Sequence, residues 1–152
     1  MDEIVIYTDG ACANNQEREN TGGYGAVLIY KDKIKEIYGG YKNTTNNRME
    51  LMAVIEALKQ LKRKDIPIKV YSDSSYVVNG INIWIHNWIK SGKMKKNPDL
   101  WMELYNLKNS FKKIEFFHVK GHNGDKYNEL ADRLAVKGSQ MYDLLIDEDS
   151  VK

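Results

Sequence analysis

Hydrophobic residues recur along the chain at two spacings, one typical of β-strands and the other typical of α-helices. Runs rich in β-branched and aromatic residues predict strands, and Lys31-Asp32 between two such runs predicts a hairpin turn. The predicted order is β-β-β-α-β-α-α-α-β-α, which indicates an α/β fold whose mixed sheet carries helices. The five predicted strands cover residues 4–9, 24–30, 33–41, 68–73 and 114–119.

Helical spacing of apolar residues predicts the elements between and after these strands. Asn46 or Asn47 is the expected N-cap of the first helix, and Asp125 is the expected N-cap of the last. Gly80 and Gly138 are expected to end helices. The five predicted helices cover residues 47–64, 74–79, 81–89, 99–110 and about 125–138.

Two predicted strands end on a carboxylate, at Asp9 and at Asp73. Glu50 near the start of the first long helix and Asp132 in the last helix complete a set of candidate acids. Each has an ordinary structural explanation when taken alone. Glu50 fits a capping box, Asp73 fits a helix cap, Asp132 fits a solvated helix position, and Asp9 fits a turn.

Composition narrows the class of protein. The 152 residues predict one domain, and 42% hydrophobic content is sufficient for a core. The net charge of +2 does not by itself indicate a nucleic-acid partner. One cysteine, Cys12, excludes a disulfide framework and a thiolate zinc cluster. The acidic N-terminus and the lack of a long apolar run predict a cytoplasmic protein with no membrane partner.

Four carboxylates in one crevice would repel one another unless a cation lay between them. Hard oxygen ligands suit magnesium or manganese rather than zinc. Two such ions are suited to phosphoryl transfer, because they activate a water and stabilise the leaving oxygen. Spacing in the sequence does not establish that the acids converge, so this hypothesis depends on the fold.

Four motifs, each bearing one of the acids, occur in order along the chain. They are Tyr7-Thr8-Asp9-Gly10, residues 45–51 (TNNRMEL), Tyr71-Ser72-Asp73-Ser74, and residues 119–135, which contain VKGHNG and NELADRLA. In this set the chain resembles ribonuclease H type 1 over about residues 4–138. A lone TDG would be weak support, whereas four ordered motifs are specific.

The resemblance implies a five-stranded mixed sheet with an antiparallel second strand, flanked by helices. It implies hydrolysis of the RNA strand of an RNA/DNA hybrid, leaving 5′-phosphate and 3′-hydroxyl ends. Asp9, Glu50, Asp73 and Asp132 match the family's catalytic acids, which hold two Mg²⁺ ions, with Mn²⁺ as an expected substitute. His122, between two glycines, matches a mobile histidine that assists proton movement or product release.

The resemblance also assigns candidates for hybrid binding. Asn14, Asn46 and Glu50 match readers of the ribose 2′-hydroxyl, which distinguishes RNA from DNA. Thr45, Asn97 and position 43 match a pocket for a DNA phosphate. Tyr76 and Trp84 match a deoxyribose channel, although core packing is the ordinary alternative and is preferred for Trp88. The nucleic-acid-binding candidates are Cys12, Asn14, Asn15, Asn43, Thr45, Asn46, Ser75, Tyr76, Trp84, Lys90, Lys93, Lys95, Lys96 and Asn97.

The lysines at 90–96 resemble the basic handle that some members use to hold the duplex, and a solvated loop is the alternative. The handle is shorter than in long-handled members, and Met94 stands where a tryptophan is often found. Asn43 replaces a longer polar or basic residue. Residues 1–140 are the expected catalytic domain, and residues 141–152 are the expected acidic, solvated tail.

Three alternatives to a monomeric, hybrid-specific endonuclease stay open from the sequence. A silent binding module of the same fold is disfavoured, because clustered negative charge would repel phosphates. A related two-metal DNA nuclease is disfavoured by the expected 2′-hydroxyl readers. A reverse-transcriptase domain is conceivable, but this chain carries no polymerase segment.

Overall fold

A computed structural model of the chain describes residues 2–13, 20–94, 96–120, 125–141 and 144–147. Its strands form one mixed sheet in the order β5-β4-β1-β2-β3-β6. β1 pairs antiparallel with β2 and parallel with β4. The strands are β1 (Ile4–Ala13), β2 (Thr21–Tyr30), β3 (Lys33–Lys42), β4 (Ile68–Ser72), β5 (Ile114–His118) and β6 (Leu145–Ile146).

Helices connect and cover these strands. Asp125 caps α5 as expected, because its side chain accepts hydrogen bonds from the backbone N–H groups of Tyr127 and Asn128. A π-helical segment, Gly80–Trp84, joins two of the helices. The α-helices are α1 (Asn46–Lys59), α2 (Ser75–Asn79), α3 (Ile85–Ser91), α4 (Pro98–Asn109) and α5 (Lys126–Ser139).

The two faces of the sheet pack against different helices. Ile6 and Val70 belong to a large apolar cluster with residues of α1 and α4. Val27 packs with Leu134 of α5 in a smaller cluster. Successive side chains of a strand therefore point to opposite faces of the sheet, and the sheet lies between α1 on one side and α5 on the other.

Several predicted helix boundaries were wrong for a local reason. Thr45, rather than Asn46 or Asn47, caps α1, because its hydroxyl accepts a hydrogen bond from the Arg48 backbone N–H. Glu50 therefore lies beyond the first turn and is not a capping-box partner. Ser74, rather than Asp73, caps α2. The usual capping explanation is thus removed for both acids.

Gly80 is the C-cap of α2, as expected, although a π-helical segment begins there, whereas Gly138 lies inside α5, which ends at Ser139. A Cβ at Gly80 would lie 2.1 Å from the Trp101 ring, and one at Gly138 would lie 2.0 Å from the Gly39 carbonyl oxygen. Both glycines allow close packing inside continuing helical structure. A glycine needed for contact and a glycine that stops a helix have the same appearance in one sequence.

The sheet has six strands rather than five, because part of the expected solvated tail is ordered. β6 pairs parallel with the end of β3, and the Asp147 backbone N–H donates to the Lys42 carbonyl at 2.9 Å. The Asp147 side chain is buried against Arg48. An acidic composition suggested a solvated end, but a buried arginine provides this carboxylate with a partner.

Among the described residues, every helix is too short or too polar to span a lipid bilayer.

Candidate active site

Parallel pairing places Asp9 and Asp73 at one edge of the sheet. Thr8 of β1 pairs with Ser72 of β4, and the two aspartates follow at the next position of each strand. Neighbouring parallel strands present corresponding side chains together. Asp9 and Asp73 are therefore neighbours, as the sequence pattern predicted. The predicted end of the first strand at Asp9 was wrong, because β1 stays paired with β2 as far as Ala13.

Glu50 reaches the same place because α1 lies against β1 at a glycine. A Cβ at Gly10 would lie 2.4 Å from the Glu50 backbone nitrogen, so a larger residue would separate the helix from the strand. The Gly10 N–H donates hydrogen bonds to the Glu50 carboxylate and, at 2.8 Å, to the Asp9 carboxylate. One backbone amide thus joins two of the acids.

The carboxylates of Asp9, Glu50 and Asp73 converge. One oxygen from each lies within 4.8 Å of the others. Asp9 and Glu50 are buried, and Asp73 is half-buried. The three acids line an open cavity of about 310 Å³.

Asp132 approaches this cluster from α5. The helix packs closely on β2, where a Cβ at Gly25 would lie 2.6 Å from the Ala131 carbonyl oxygen. Asp132 is half-buried, and its side chain interacts with that of Asp9. The fourth predicted acid therefore lies beside the site, although the tight group of three does not include it.

The crowded carboxylates have strongly perturbed acidities. Burial, followed by the negative charges of Asp73 and Asp132, raises the pKa of Asp9 to about 7 from its ordinary 3.8. Burial and then Asp9 raise the pKa of Glu50 well above its ordinary value. Without a cation the site therefore favours retaining a proton between these two acids.

The donor set fits divalent cations. Three carboxylates within bridging distance supply the hard oxygen ligands that Mg²⁺ and Mn²⁺ prefer. A cation would offset the repulsion that raises the two pKa values. Asp9, Glu50 and Asp73 are the residues that could hold one, and Asp132 is close enough to Asp9 to assist.

Several predicted binding residues line or adjoin the acidic cavity. Asn46, Ser75 and Tyr76 form part of its wall. Tyr76 also borders a groove of about 470 Å³, together with Trp88, Met94 and the two lysines Lys93 and Lys96. The acids and the basic segment are therefore connected along one surface through Tyr76.

The aromatic residues considered for substrate binding differ in how far they belong to the surface or to the core, partly as expected. Trp84 is 39% exposed, and its ring lies 6.1 Å from that of Trp88. Trp88 packs edge-on against the buried Trp101 at 5.2 Å, which agrees with the preferred core role, although it also borders the groove. Tyr76 combines both roles, because its hydroxyl accepts a hydrogen bond from the Trp101 ring nitrogen at 2.9 Å.

The predicted phosphate pocket involves three segments. Asn43 and Asn97 both have left-handed backbones, with φ of 55° and 52°. Thr45 is exposed at the start of α1, and the Asn97 amide donates to the Tyr76 hydroxyl at 3.1 Å. The thiol of Cys12, in β1, lies 3.8 Å from the carbonyl oxygen of Thr44, the residue before Thr45.

Other predicted residues have a simpler outcome. Lys90, Lys93 and Lys96 are exposed at the end of α3 and in the segment after it. Four predictions lie outside the described residues, namely His122, Asn14, Asn15 and Lys95.

Sequence reasoning missed four residues near the proposed site, namely Arg48, its partners Asp99 and Asp147, and His118. Arg48 is 1% exposed and pairs with Asp99 and with the tail residue Asp147. A single arginine in an asparagine-rich helix start gave no signal that it was buried. His118 at the end of β5 was also missed, and its ring nitrogen lies 3.2 Å from the Asp73 carbonyl oxygen.

A larger, apolar cavity of about 610 Å³ lies at the other end of the sheet. Its walls include Ile4, Ile34 and Leu61, and its rim carries Lys62 and Arg63. No carboxylate lines it among the described residues. A cavity of about 820 Å³, lined by Arg48, Asp99 and Asp147 among others, is larger still. Size alone would therefore not select the cavity of the clustered acids, which is smaller than both.

The fold and the site together define a class of protein. A mixed sheet, covered by helices, carries clustered carboxylates where the parallel pairing of β1 with β4 ends. Such a group of acids could hold a divalent cation, as sites that support phosphoryl transfer do.

Comparison with known proteins gives the family. The family model for RNase H matches residues 1–140. A ribonuclease H of Chromobacterium violaceum is 48% identical over 143 residues, covering 90% of this chain and 95% of that protein. One from Francisella tularensis subsp. novicida is 50% identical over 140 residues, covering 88% and 89%. The chain therefore belongs to the ribonuclease H family.

The solved structures agree on the fold. LC9-RNase H1, a type 1 RNase H with the type 2 active-site motif, superposes with a TM-score of 0.81 at 31% identity. The match covers 91% of this chain and 72% of that one.

Proposed function

We propose that this protein is an endonuclease that hydrolyses the RNA strand of RNA/DNA hybrids and leaves 5′-phosphate and 3′-hydroxyl ends. The observation that carries the proposal is the convergence of Asp9, Glu50 and Asp73 within 4.8 Å in a member of the ribonuclease H family. Pure binding of a polyanion would gain nothing from acids gathered where phosphates must approach.

The acids would hold two magnesium ions, and manganese is expected to substitute. Asp9, Glu50, Asp73 and Asp132 are the proposed ligands, with the Gly10 N–H fixing the first two. When bound, the ions activate water for attack and stabilise the charge that develops on the phosphate oxygens. The protein's own contribution is to position the acids before substrate arrives.

His122 is the proposed mobile proton-transfer group. Its sequence neighbours are Gly121 and Asn123-Gly124, and an imidazole titrates near neutral pH. It lies outside the described residues, so this role derives from the match to the family motif.

Hybrid recognition would use the surface that joins the acidic cavity to the basic groove. Asn46 lines the cavity, where an amide can read a ribose 2′-hydroxyl together with Asn14 and Glu50. Tyr76 and Trp84 would pack on deoxyribose. Backbone groups near Cys12, together with Asn15 and Ser75, would complete the contacts.

Two parts of the protein would bind phosphates of the hybrid: a pocket for one phosphate of the DNA strand, and the basic handle. Thr45, Asn97 and Asn43 are the proposed DNA-phosphate pocket. The exposed handle lysines would neutralise further phosphates and make the affinity depend on salt. The handle lysines are Lys90, Lys93, Lys95 and Lys96.

The expected monomer and the expected cytoplasmic location stay predictions. A division into a catalytic domain at residues 1–140 and a tail at 141–152 also stays a prediction, with part of that tail, residues 144–147, ordered against the sheet.

A cleavage assay tests the proposal directly. An end-labelled RNA annealed to DNA is incubated with magnesium, with manganese, and with excess chelator. Three comparison substrates are the same RNA as a single strand, the same RNA in an RNA duplex, and a DNA duplex of matched sequence. We expect cleavage of the hybrid alone, lost with chelator. Hybrid binding without cleavage in either metal would indicate the silent binding module instead, and cleavage of duplex DNA would indicate a DNA nuclease.

A further inference from the structure

The buried guanidinium of Arg48 connects three separate segments of the chain. Its Nε and Nη2 donate to the two Asp147 oxygens at 2.7 and 3.2 Å. Its Nη1 and Nη2 donate to the two Asp99 oxygens at 3.0 and 2.6 Å. Nη1 also donates to Asn97 Oδ1 at 3.1 Å. These contacts use all the N–H groups that an arginine has.

This arrangement fixes the orientation of the Asn97 amide. Arg48 can only donate, so the oxygen of the amide must face it and the nitrogen must face away. That nitrogen donates to the Tyr76 hydroxyl at 3.1 Å. An amide NH₂ has two N–H groups, so this nitrogen has a second one to donate to another acceptor.

The tail carboxylate also holds the start of α1. The Thr44 hydroxyl donates to Asp147 Oδ2 at 2.8 Å, and the next residue, Thr45, caps the helix through the Arg48 backbone N–H. Asp147 is 5% exposed. One carboxylate therefore contacts groups adjacent to both Thr45 and Asn97, the two best-placed members of the proposed phosphate pocket.

The tail reaches this position through few other contacts. β6 is a two-residue strand, and its Leu145 and Ile146 are 72% and 56% exposed. Besides the short backbone pairing with β3, the Asp147 carboxylate thus anchors the described tail through its hydrogen bonds to Arg48 and Thr44.

We propose that Asp147 is a positioning residue for substrate: it holds Arg48 and Thr44 so that Asn97 and Thr45 form the pocket for a DNA phosphate. The proposal rests on the proposed function, because it assumes that this pocket receives the DNA strand of a hybrid. Asp147 is not one of the clustered acids, and its hydrogen bonds to Thr44 and Arg48 lead to the proposed phosphate pocket, so its expected effect concerns binding rather than chemistry.

The test variant is Asp147→Asn, which keeps the size of the side chain and removes its charge. The control is Asp65→Asn, the same change at an exposed ion pair with Arg63, 2.7 Å long, on the far side of the molecule. We expect Asp147→Asn to raise KM for a hybrid about tenfold with kcat within about twofold of the parent, and the control to change neither.

A set of hybrids locates the effect on the substrate. Each carries one neutral methylphosphonate at a different linkage of the DNA strand. With the parent protein one linkage should raise KM most, and for Asp147→Asn that linkage should add little. A purely structural role would leave the full methylphosphonate penalty in place, and that result would overturn the proposal.

Two further variants separate the possible failures. Thr44→Val removes only the hydroxyl that donates to Asp147, so it should give a smaller rise in KM at the same linkage even if Asp147→Asn folds poorly. Asn97→Ala should abolish the sensitivity of that linkage. If it does not, the phosphate pocket itself is wrong; if it does while Asp147→Asn and Thr44→Val do not, the tail proposal alone is wrong.

Discussion

The backbone N–H of Gly10 donates a hydrogen bond to the carboxylate of Glu50, 40 positions later in the chain. The contact joins β1 to α1 at the point where the acids meet. It is possible because no side chain separates the strand from the helix.

Gly10→Ala should disrupt the site and the packing together. The new Cβ would lie 2.4 Å from the Glu50 nitrogen, and overpacking of this type costs about 1–3 kcal/mol of unfolding free energy. Hybrid cleavage and thermal unfolding measure the two effects. Gly39→Ala, which crowds the Tyr24 ring instead, is the control and should lose stability but keep kcat. Unchanged kcat in Gly10→Ala would show that the acids tolerate the displacement.

Asp73→Asn should abolish cleavage and spare binding. The carboxylate is one of three in the cluster, and an amide offers a neutral, weaker ligand oxygen. We expect kcat to fall at least a hundredfold, equivalent to about 2.7 kcal/mol, while a gel shift with hybrid persists. Turnover close to that of the parent would refute the two-metal assignment.

Stability without metal should fall as pH rises toward neutrality. The folded pKa of Asp9 is raised to about 7 from an ordinary 3.8, so the folded state binds more protons in that interval. This contribution is fully present below pH 3.8 and is lost as pH rises to about 7. In excess chelator, the melting temperature should therefore be lower at pH 8 than at pH 5.5.

Asp9→Asn tests the origin of that pH dependence, because it removes the titrating acid. The variant should melt higher than the parent at pH 8 in chelator, by roughly 2–4 °C for each kcal/mol of repulsion relieved. Asp99 does not interfere, since Arg48 holds the pKa of its carboxyl below the ordinary value and its transition lies at more acidic pH. An equal pH dependence in both proteins would place the effect elsewhere.

Replacing the handle lysines with glutamine should weaken binding more than catalysis. Each lysine that neutralises a phosphate contributes roughly 0.9 to the slope of log affinity against log salt. KM should rise and become less dependent on salt, with kcat nearly unchanged. A control removes the same charge from the distant apolar cavity. An unchanged KM at moderate salt would show that the handle is only a solvated loop. The replaced residues are Lys90, Lys93, Lys95 and Lys96, and the control residues are Lys33, Lys35, Lys62 and Arg63.

His122→Ala should slow turnover without stopping it. A proton-transfer group assists a reaction that the carboxylate site supports on its own, so kcat should fall roughly 10²-fold, at the lower end of such contributions. His86→Ala is the control, since that histidine is exposed on α3. Complete loss of activity in His122→Ala would mean that the histidine has a different role.

The chain itself determined the strands, the hairpin and the identity of the acids. Asp9 and Asp73 were recognisable because each follows a β-rich run of buried character. Their convergence depended on the fold, since it is the parallel pairing of β1 with β4 that places them together. The four motifs also gave the family, which the comparison confirmed. These features depend on local pattern, which a single sequence carries.

Only the tertiary structure decided which residues support the site. Gly10 fitted a turn and Gly25 was one residue of a predicted strand, but both are points where helices contact the sheet. Nothing in the sequence indicated that Arg48 is buried, yet its guanidinium is buried and pairs with the Asp147 carboxylate, 99 positions later. The tail that contains Asp147 was expected to be solvated. Burial and ion pairing between distant segments depend on how the layers pack, and one sequence read along its length records no distances between them.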